Sequence, residues 1–164
     1  MTERAMLFSH LNAQSDDSSR STVPAPATTR GSAAEALPLD TAILIVEDEV
    51  LIAWTLDDLL TDLGFRDVRV ARDSEEAVSL AQERLPGLLI CDVNLGKGDD
   101  GVATAARIRA LAWVPALFIT GYAGDEIRAR IDQYIAGAPL LRKPIEPQPL
   151  QRILRQVFKQ ERPH

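Results

Sequence analysis

From residue 41 onward the sequence switches regularly between two periodicities, and this constrains the fold more than any other feature. "TAILIV" is a continuous β-rich apolar run, as expected of a strand buried on both faces. "EVLIAWTLDDLLTDLG" follows, with Leu56, Leu59, Leu60 and Leu63 at helical spacing, facing the core, before Gly64 ends the helix. "RDVRVA" reads as a shorter strand and "DSEEAVSLAQERL" as a helix capped by Asp73 or Ser74. "GLLICD" is a third strand and "GVATAARIRAL" a third helix. "VPALFIT" is a fourth strand, with Pro115 near its beginning, where proline is tolerated. "GDEIRARIDQYIAG" is a fourth helix ended by Gly137, "APLLRKP" a short fifth strand and "QPLQRILRQVFKQ" the last helix. Five βα units predict an α/β fold, a five-stranded parallel doubly wound sheet with helices on both faces.

Residues 1–40 differ in kind. They are rich in Ser, Thr, Ala and Pro and cannot bury enough apolar surface to offset their ordering entropy, so a disordered tail is expected. The folded domain is expected over 41–160, with 161–164 a C-terminal end. The apolar piece "AMLFSHL" reads as part of the tail, and the tail's five acids and three bases do not make a polybasic arm.

Composition narrows the function. A net charge of −6 argues against a nucleic-acid surface, which needs a basic face. The single cysteine, Cys91, excludes an internal disulfide and suits a reducing compartment. No apolar run reaches the length of a membrane span, and the N-terminus lacks a secretory pattern. A cytoplasmic protein with no membrane partner is the expectation. The only histidines, His10 and His164, lie at the two ends, which disfavours histidine-based metal sites and triads. The chemistry is left to carboxylates, hydroxyls and lysine.

The stretch "ILIVEDEV" drives a buried strand into three acids, Glu47, Asp48 and Glu49. In doubly wound folds the functional crevice lies beyond the carboxyl ends of the strands. Strand one delivers Glu47 and Asp48 there, strand three Asp92 with Asn94 two residues on, strand four Thr120 with Gly121 and Tyr122, and strand five Lys143 with Pro144. Close carboxylates raise each other's pKa unless a cation offsets them, and hard oxygen ligands of this kind suit Mg²⁺. A lysine and a hydroxyl facing the same point suit an anionic oxygen. Together they make a place to carry a phosphoryl group on Asp92 as an aspartyl phosphate. Glu49 reads as an acid favouring the first-turn dipole, Cys91 as a small core residue, and "KGDDG" as a solvated turn.

With "VED", "CDVN", "FITGY" and "RKP" at successive strand ends, the chain resembles the receiver domain of two-component response regulators over roughly residues 41–160. The resemblance implies the flavodoxin-like strand order 2-1-3-4-5. Asp92 would be the phosphoacceptor, and Mg²⁺ would be held by Asp48, by Glu47 mainly through a bound water, by Asp92 and by the backbone carbonyl of Asn94. Thr120 and Lys143 would bind the phosphoryl group, and Lys143–Pro144 is often cis in such proteins. The phosphoryl donor would be a sensor histidine kinase or a histidine phosphotransferase. With no further domain after the last helix, the expected output is protein contact or phosphate drain. Receivers usually carry Tyr or Phe three residues before the lysine, where this chain has Leu140. It resembles instead a stand-alone subgroup with a Phe-x-Thr-Gly-x/Tyr motif on strand four, in which Phe118 and Tyr122 would take over some of the switching. Gly121, Gly124 and Gly137 would loosen the fourth helix.

Two other readings are a small aspartyl-phosphate-type phosphatase and a flavodoxin-like nucleotide-binding module. The first wants a general acid where the chain has Asn94, and the second a Gly-rich phosphate loop where it has "VEDEV". A receiver that signals without phosphate is disfavoured by the complete site. Ile52 and Trp54 lie off the apolar stripe of the first helix near the acids and are expected to dock the kinase.

Overall fold

A computed structural model describes residues 37–96 and 100–159. The tail expected up to residue 40 therefore lies mostly outside the described residues, as do residues 97–99 of the "KGDDG" turn and the end from 160. Among the described residues, strands β1 (Ile43–Val46), β2 (Val68–Ala71), β3 (Leu88–Asp92), β4 (Ala116–Thr120) and β5 (Leu140–Arg142) alternate with helices. These are α1 (Val50–Asp62), α2 (Ser74–Glu83), α3 (Gly101–Leu111), α4 (Asp125–Tyr134) and α5 (Pro147–Val157). All strand pairs are parallel and their order is β2-β1-β3-β4-β5. The order predicted from sequence holds, and its reversal point is the crevice between β1 and β3.

The sheet divides two cores. Ile43 and Ile45 of β1, Leu88 and Ile90 of β3, and Leu117 and Ile119 of β4 face α1 and α5, where they meet Leu56, Leu60, Leu150 and Leu154. Their neighbours Leu44, Val46, Leu89, Cys91, Ala116 and Phe118 face α2, α3 and α4 and meet Ala77, Ala81, Ala105, Ile108 and Ile131. Successive side chains of a strand point to opposite faces. That explains the unbroken apolar runs: each central strand needs an apolar residue at every position because neither face sees water.

The stops read from sequence are local geometry. Gly64 and Gly137 have φ of +102° and +73°, where a side chain would be strained. Asp73 caps α2, its carboxylate accepting from the Glu76 N–H at 2.9 Å. Pro115 precedes β4 and contributes only its carbonyl, which accepts from the Leu89 N–H at 3.0 Å. The Lys143–Pro144 peptide is cis. Among the described residues no helix is long and apolar enough to cross a membrane.

Candidate functional site

Odd and even positions continue past the strand ends and sort the polar residues. Glu47 follows the parity of Ile43 and Ile45, Asp92 that of Leu88 and Ile90, and Lys143 that of Leu141, all on the α1/α5 side. These three meet. Lys143 Nζ lies 2.8 Å from Asp92 Oδ2 and 2.9 Å from Glu47 Oε2, with Glu49 Oε1 further out at 3.5 Å. The Glu47 and Asp92 side chains are 1% and 6% exposed, so one ammonium serves two carboxylates almost out of water. The Lys143 N–H donates to the Thr120 carbonyl at 2.8 Å, which fixes the lysine backbone beside β4. Asp92 Oδ1 accepts from the Asn94 N–H at 3.1 Å.

Electrostatics follow from this crowding. Burial pushes the Glu47 carboxyl up to about 7; Lys143 pulls it back and the Asp92 charge adds to the rise. Burial opposes the charge on Lys143, yet its contacts with Asp92 and Glu47 hold it above the ordinary lysine value. Burial, reinforced by Asp92, pushes the Cys91 thiol up, as suits the core residue expected there.

The acids do not gather as the sequence alone suggested. Glu47, Glu49 and Asp92 each place an oxygen within 4.8 Å of the others. Glu49 joins them because α1 starts at Val50, leaving Glu49 as an extended N-cap residue whose side chain caps nothing and whose carboxylate is exposed toward the mouth. The Asp48 carboxylate has the opposite parity from Glu47 and lies against Gly96, where any β-carbon would collide with Oδ2. Thr120 is fully buried; its hydroxyl donates to the Tyr122 carbonyl at 2.9 Å and accepts from the Tyr122 N–H at 3.3 Å.

A buried cation-binding pocket should show an acceptor that the protein leaves unsatisfied. Glu47 Oε2 keeps part of that capacity: it is buried and, among the described residues, its one partner is the Lys143 ammonium at 2.9 Å, which it shares with Asp92. The residues present therefore fit a divalent cation with oxygen ligands.

The profile of the response regulator receiver domain matches residues 43–155. The chain belongs to the response regulator receiver family. This receiver is 34% identical over 129 residues to the phyllosphere-induced regulator PhyR of Methylorubrum extorquens, covering 75% of this chain and 45% of that one. It is 29% identical over 117 residues to a probable chemotaxis protein CheY of Rhizobium etli, covering 71% and 91%. Among solved structures, the PhyR receiver domain of Erythrobacter litoralis superposes with a TM-score of 0.67 at 31% identity, covering 76% of this chain and 95% of that one. The receiver spans less than half the length of the PhyR relative and 42% of the Mycobacterium tuberculosis regulator PdtaR.

The remaining sequence candidates scatter. Phe118 is fully buried and packs with Cys91 and Ile131 on the α4 side of the sheet, its strand partner being Leu140. Tyr122 is 70% exposed, its ring lying over Gly124 so that a β-carbon there would press on it. Ile52 and Trp54 lie on opposite flanks of α1. Ile52 lines a groove of about 480 Å³ with Thr55, Lys143, Pro144 and Ile145. Trp54 lines another with Val50, Ala53, Val70 and Arg72. Leu51, not singled out from sequence, is 74% exposed, one turn from the 61% exposed Trp54. Its spacing from Trp54 carried the signal, since residues three apart share a helix face.

Proposed function

We propose that Asp92 accepts a phosphoryl group from a phosphohistidine, with Mg²⁺ bound beside it, and that the phosphorylated receiver acts by contact with another protein or as a phosphate sink. One observation carries the reading. Lys143 reaches across the end of the sheet to a buried carboxylate at 2.8 Å while a second buried carboxylate shares the same ammonium at 2.9 Å. A structural ion pair needs one acid. Two acids on one lysine suit a pocket that takes up a cation and an anionic group together.

Glu47, Asp92 and the Asn94 carbonyl would hold the ion, with Asp48 joining them by turning from its present place against Gly96; the ion when bound offsets the charge of the phosphoryl oxygens. Asp92 supplies the electron pair of the new P–O bond, and the pair of the broken P–N bond leaves with the imidazole of the donor. The Asn94 N–H, at 3.1 Å from Asp92 Oδ1, orients the attacking carboxylate. Lys143 and the Thr120 hydroxyl would then bind phosphoryl oxygens, each giving up a contact it makes now: Lys143 its share of Glu47, Thr120 the Tyr122 carbonyl. Asn94 is no general acid, so the carboxyl phosphate would not be turned over on an outside substrate in the manner of a phosphatase.

The donor would be a histidine kinase or histidine phosphotransferase, docked where the Ile52 groove opens at Lys143. One PhyR structure, from Bartonella quintana, is described as an anti-anti-sigma factor. Its likeness, at 25% identity and a TM-score of 0.61, supports an output by protein contact here too. The test is intact mass after incubation with acetyl phosphate. The protein should gain one phosphoryl group, about 80 Da, with Mg²⁺ and not without it, and Asp92→Asn and Asp48→Ala should both abolish the gain. Phosphate uptake by Asp92→Asn would overturn the assignment.

A further inference from the structure

The loop that leaves Asp92 is held at its far end by a residue of α4. Arg130 Nη2 lies 2.5 Å from Asp100 Oδ1 and 3.4 Å from the carbonyl of Val93, the residue after Asp92. That same Asp100 oxygen caps α3, accepting from the Val102 and Ala103 N–H groups at 2.8 and 3.3 Å. Asp100 bridges to Asn94 across the loop, and the Gly101 N–H donates to the Val93 carbonyl at 3.1 Å. Gly101 lies so close beneath the Asp92 carbonyl that no β-carbon fits between them. The Cys91 thiol donates to the Asp92 and Gly101 carbonyls at 3.4 and 3.3 Å.

An isolated ion pair with partners 36% and 39% exposed would contribute little. This one differs in its connections. The guanidinium binds both the cap of α3 and a main-chain carbonyl one residue from the acceptor, so displacing it removes a contact at two points of the loop at once.

We propose that Arg130 is a positioning residue for the acceptor site, holding through Asp100 and Val93 the loop that carries Asn94, and thereby fastening α4 to that loop. The inference rests on the proposed metal and phosphoryl site. It supplies a route from that site to α4 that does not pass through position 140, where leucine has no ring to swing.

The experiment uses the full chain with Arg130→Ala, Arg130→Lys and Asp100→Asn. Half-saturating Mg²⁺ is read from the Mg²⁺-dependent rise in melting temperature, and amide exchange of Asn94 and residues 101–103 is followed without metal. In Arg130→Ala the half-saturating concentration should rise about fivefold and those amides should exchange faster, as expected for a lost charged hydrogen bond that is part-exposed. Arg130→Lys should fall between. Asp100→Asn keeps a residue able to cap α3 and leaves the guanidinium on the Val93 carbonyl but removes the charge of the pair, so it should move both readouts in the same direction by less. Unchanged half-saturation and exchange in Arg130→Ala and Asp100→Asn would overturn the proposal. So would a lower melting temperature with no change in half-saturation, which marks a merely structural role. If Arg130→Ala fails to fold, the other two variants decide by the same readouts. Absence of the acetyl phosphate mass gain in the unmodified protein would overturn the Asp92 reading and not this one, because neither readout needs phosphoryl transfer.

Discussion

Thr120 and Tyr122 are tied to each other in both directions: the buried hydroxyl donates to the tyrosine carbonyl at 2.9 Å and accepts from its N–H at 3.3 Å. A threonine engaged this way is not free for another oxygen. A phosphoryl group that recruits the hydroxyl must release the carbonyl of Tyr122, three residues before α4 begins. Residues 120–137 should therefore change amide protection when a phosphoryl mimic such as beryllofluoride binds, and Thr120→Ala should blunt the response. Unchanged exchange there, with large changes elsewhere, would sink the idea.

Glu47 sets a pH dependence whose sign is fixed by its direction of shift. Its folded-state pKa lies near 7 against an ordinary 4.5. The stability it contributes to the metal-free protein is full below about 4.5 and is lost as pH rises through about 7. A cation binds the deprotonated form, so Mg²⁺ affinity should climb with pH up to about 7 and level above it. Titrating the metal-induced rise in melting temperature at several pH values checks this, and Glu47→Gln should flatten the profile. An affinity independent of pH between 5.5 and 8 would refute the assignment.

Lys143 compensates two buried carboxylates, so its removal costs more than one ion pair. Lys143→Met should destabilise the metal-free protein by roughly 3 kcal/mol at neutral pH, since breaking a buried pair leaves charge uncompensated. The loss should shrink at pH 5, where Glu47 is protonated. Denaturant unfolding at the two pH values separates this from a packing defect, which would cost the same at both.

The two docking candidates should come apart. Because Ile52 opens toward Lys143 and Trp54 faces away across α1, one approaching helix meets them unequally. Ile52→Ala should slow transfer from the cognate kinase by about tenfold, some 1.4 kcal/mol, with little effect on acetyl phosphate. Trp54→Ala should act with Leu51→Ala or not at all. Equal loss with both phosphodonors would mean a destabilised helix instead of a lost contact.

Gly101 leaves no room for a side chain beneath Asp92. Gly101→Ala should lower stability by about 2 kcal/mol, in the range of overpacked cores, because the two nearest atoms are the Asp92 backbone carbonyl, which does not yield easily. Thermal unfolding measures it.

Much of this was legible in sequence for a physical reason. Strands buried on both faces announce themselves as unbroken apolar runs, and Asp92, Thr120 and Lys143 stand at or just past the ends of those runs. Gly64 and Gly137 were readable because a positive φ leaves few other residues. What was not legible depended on direction or distance. The sequence cannot show that α1 starts one residue after Glu49, which turns that side chain from a dipole acid into a member of the acid group. That Ile52 and Trp54 diverge follows from their spacing of two on a helix, but which groove each enters is fixed only when the helix is placed on the sheet. The Arg130–Asp100 contact joins residues thirty apart with no shared motif.

The alternation that brings Glu47, Asp92 and Lys143 to one side of the sheet also limits how this chain can change length. Loops can gain or lose residues singly with only local adjustment. A single residue inserted between the core of β5 and Lys143 would turn the ammonium to the α4 side and put its neighbour in the pocket. Ahead of the site, these strands can be lengthened or shortened only by two residues at a time.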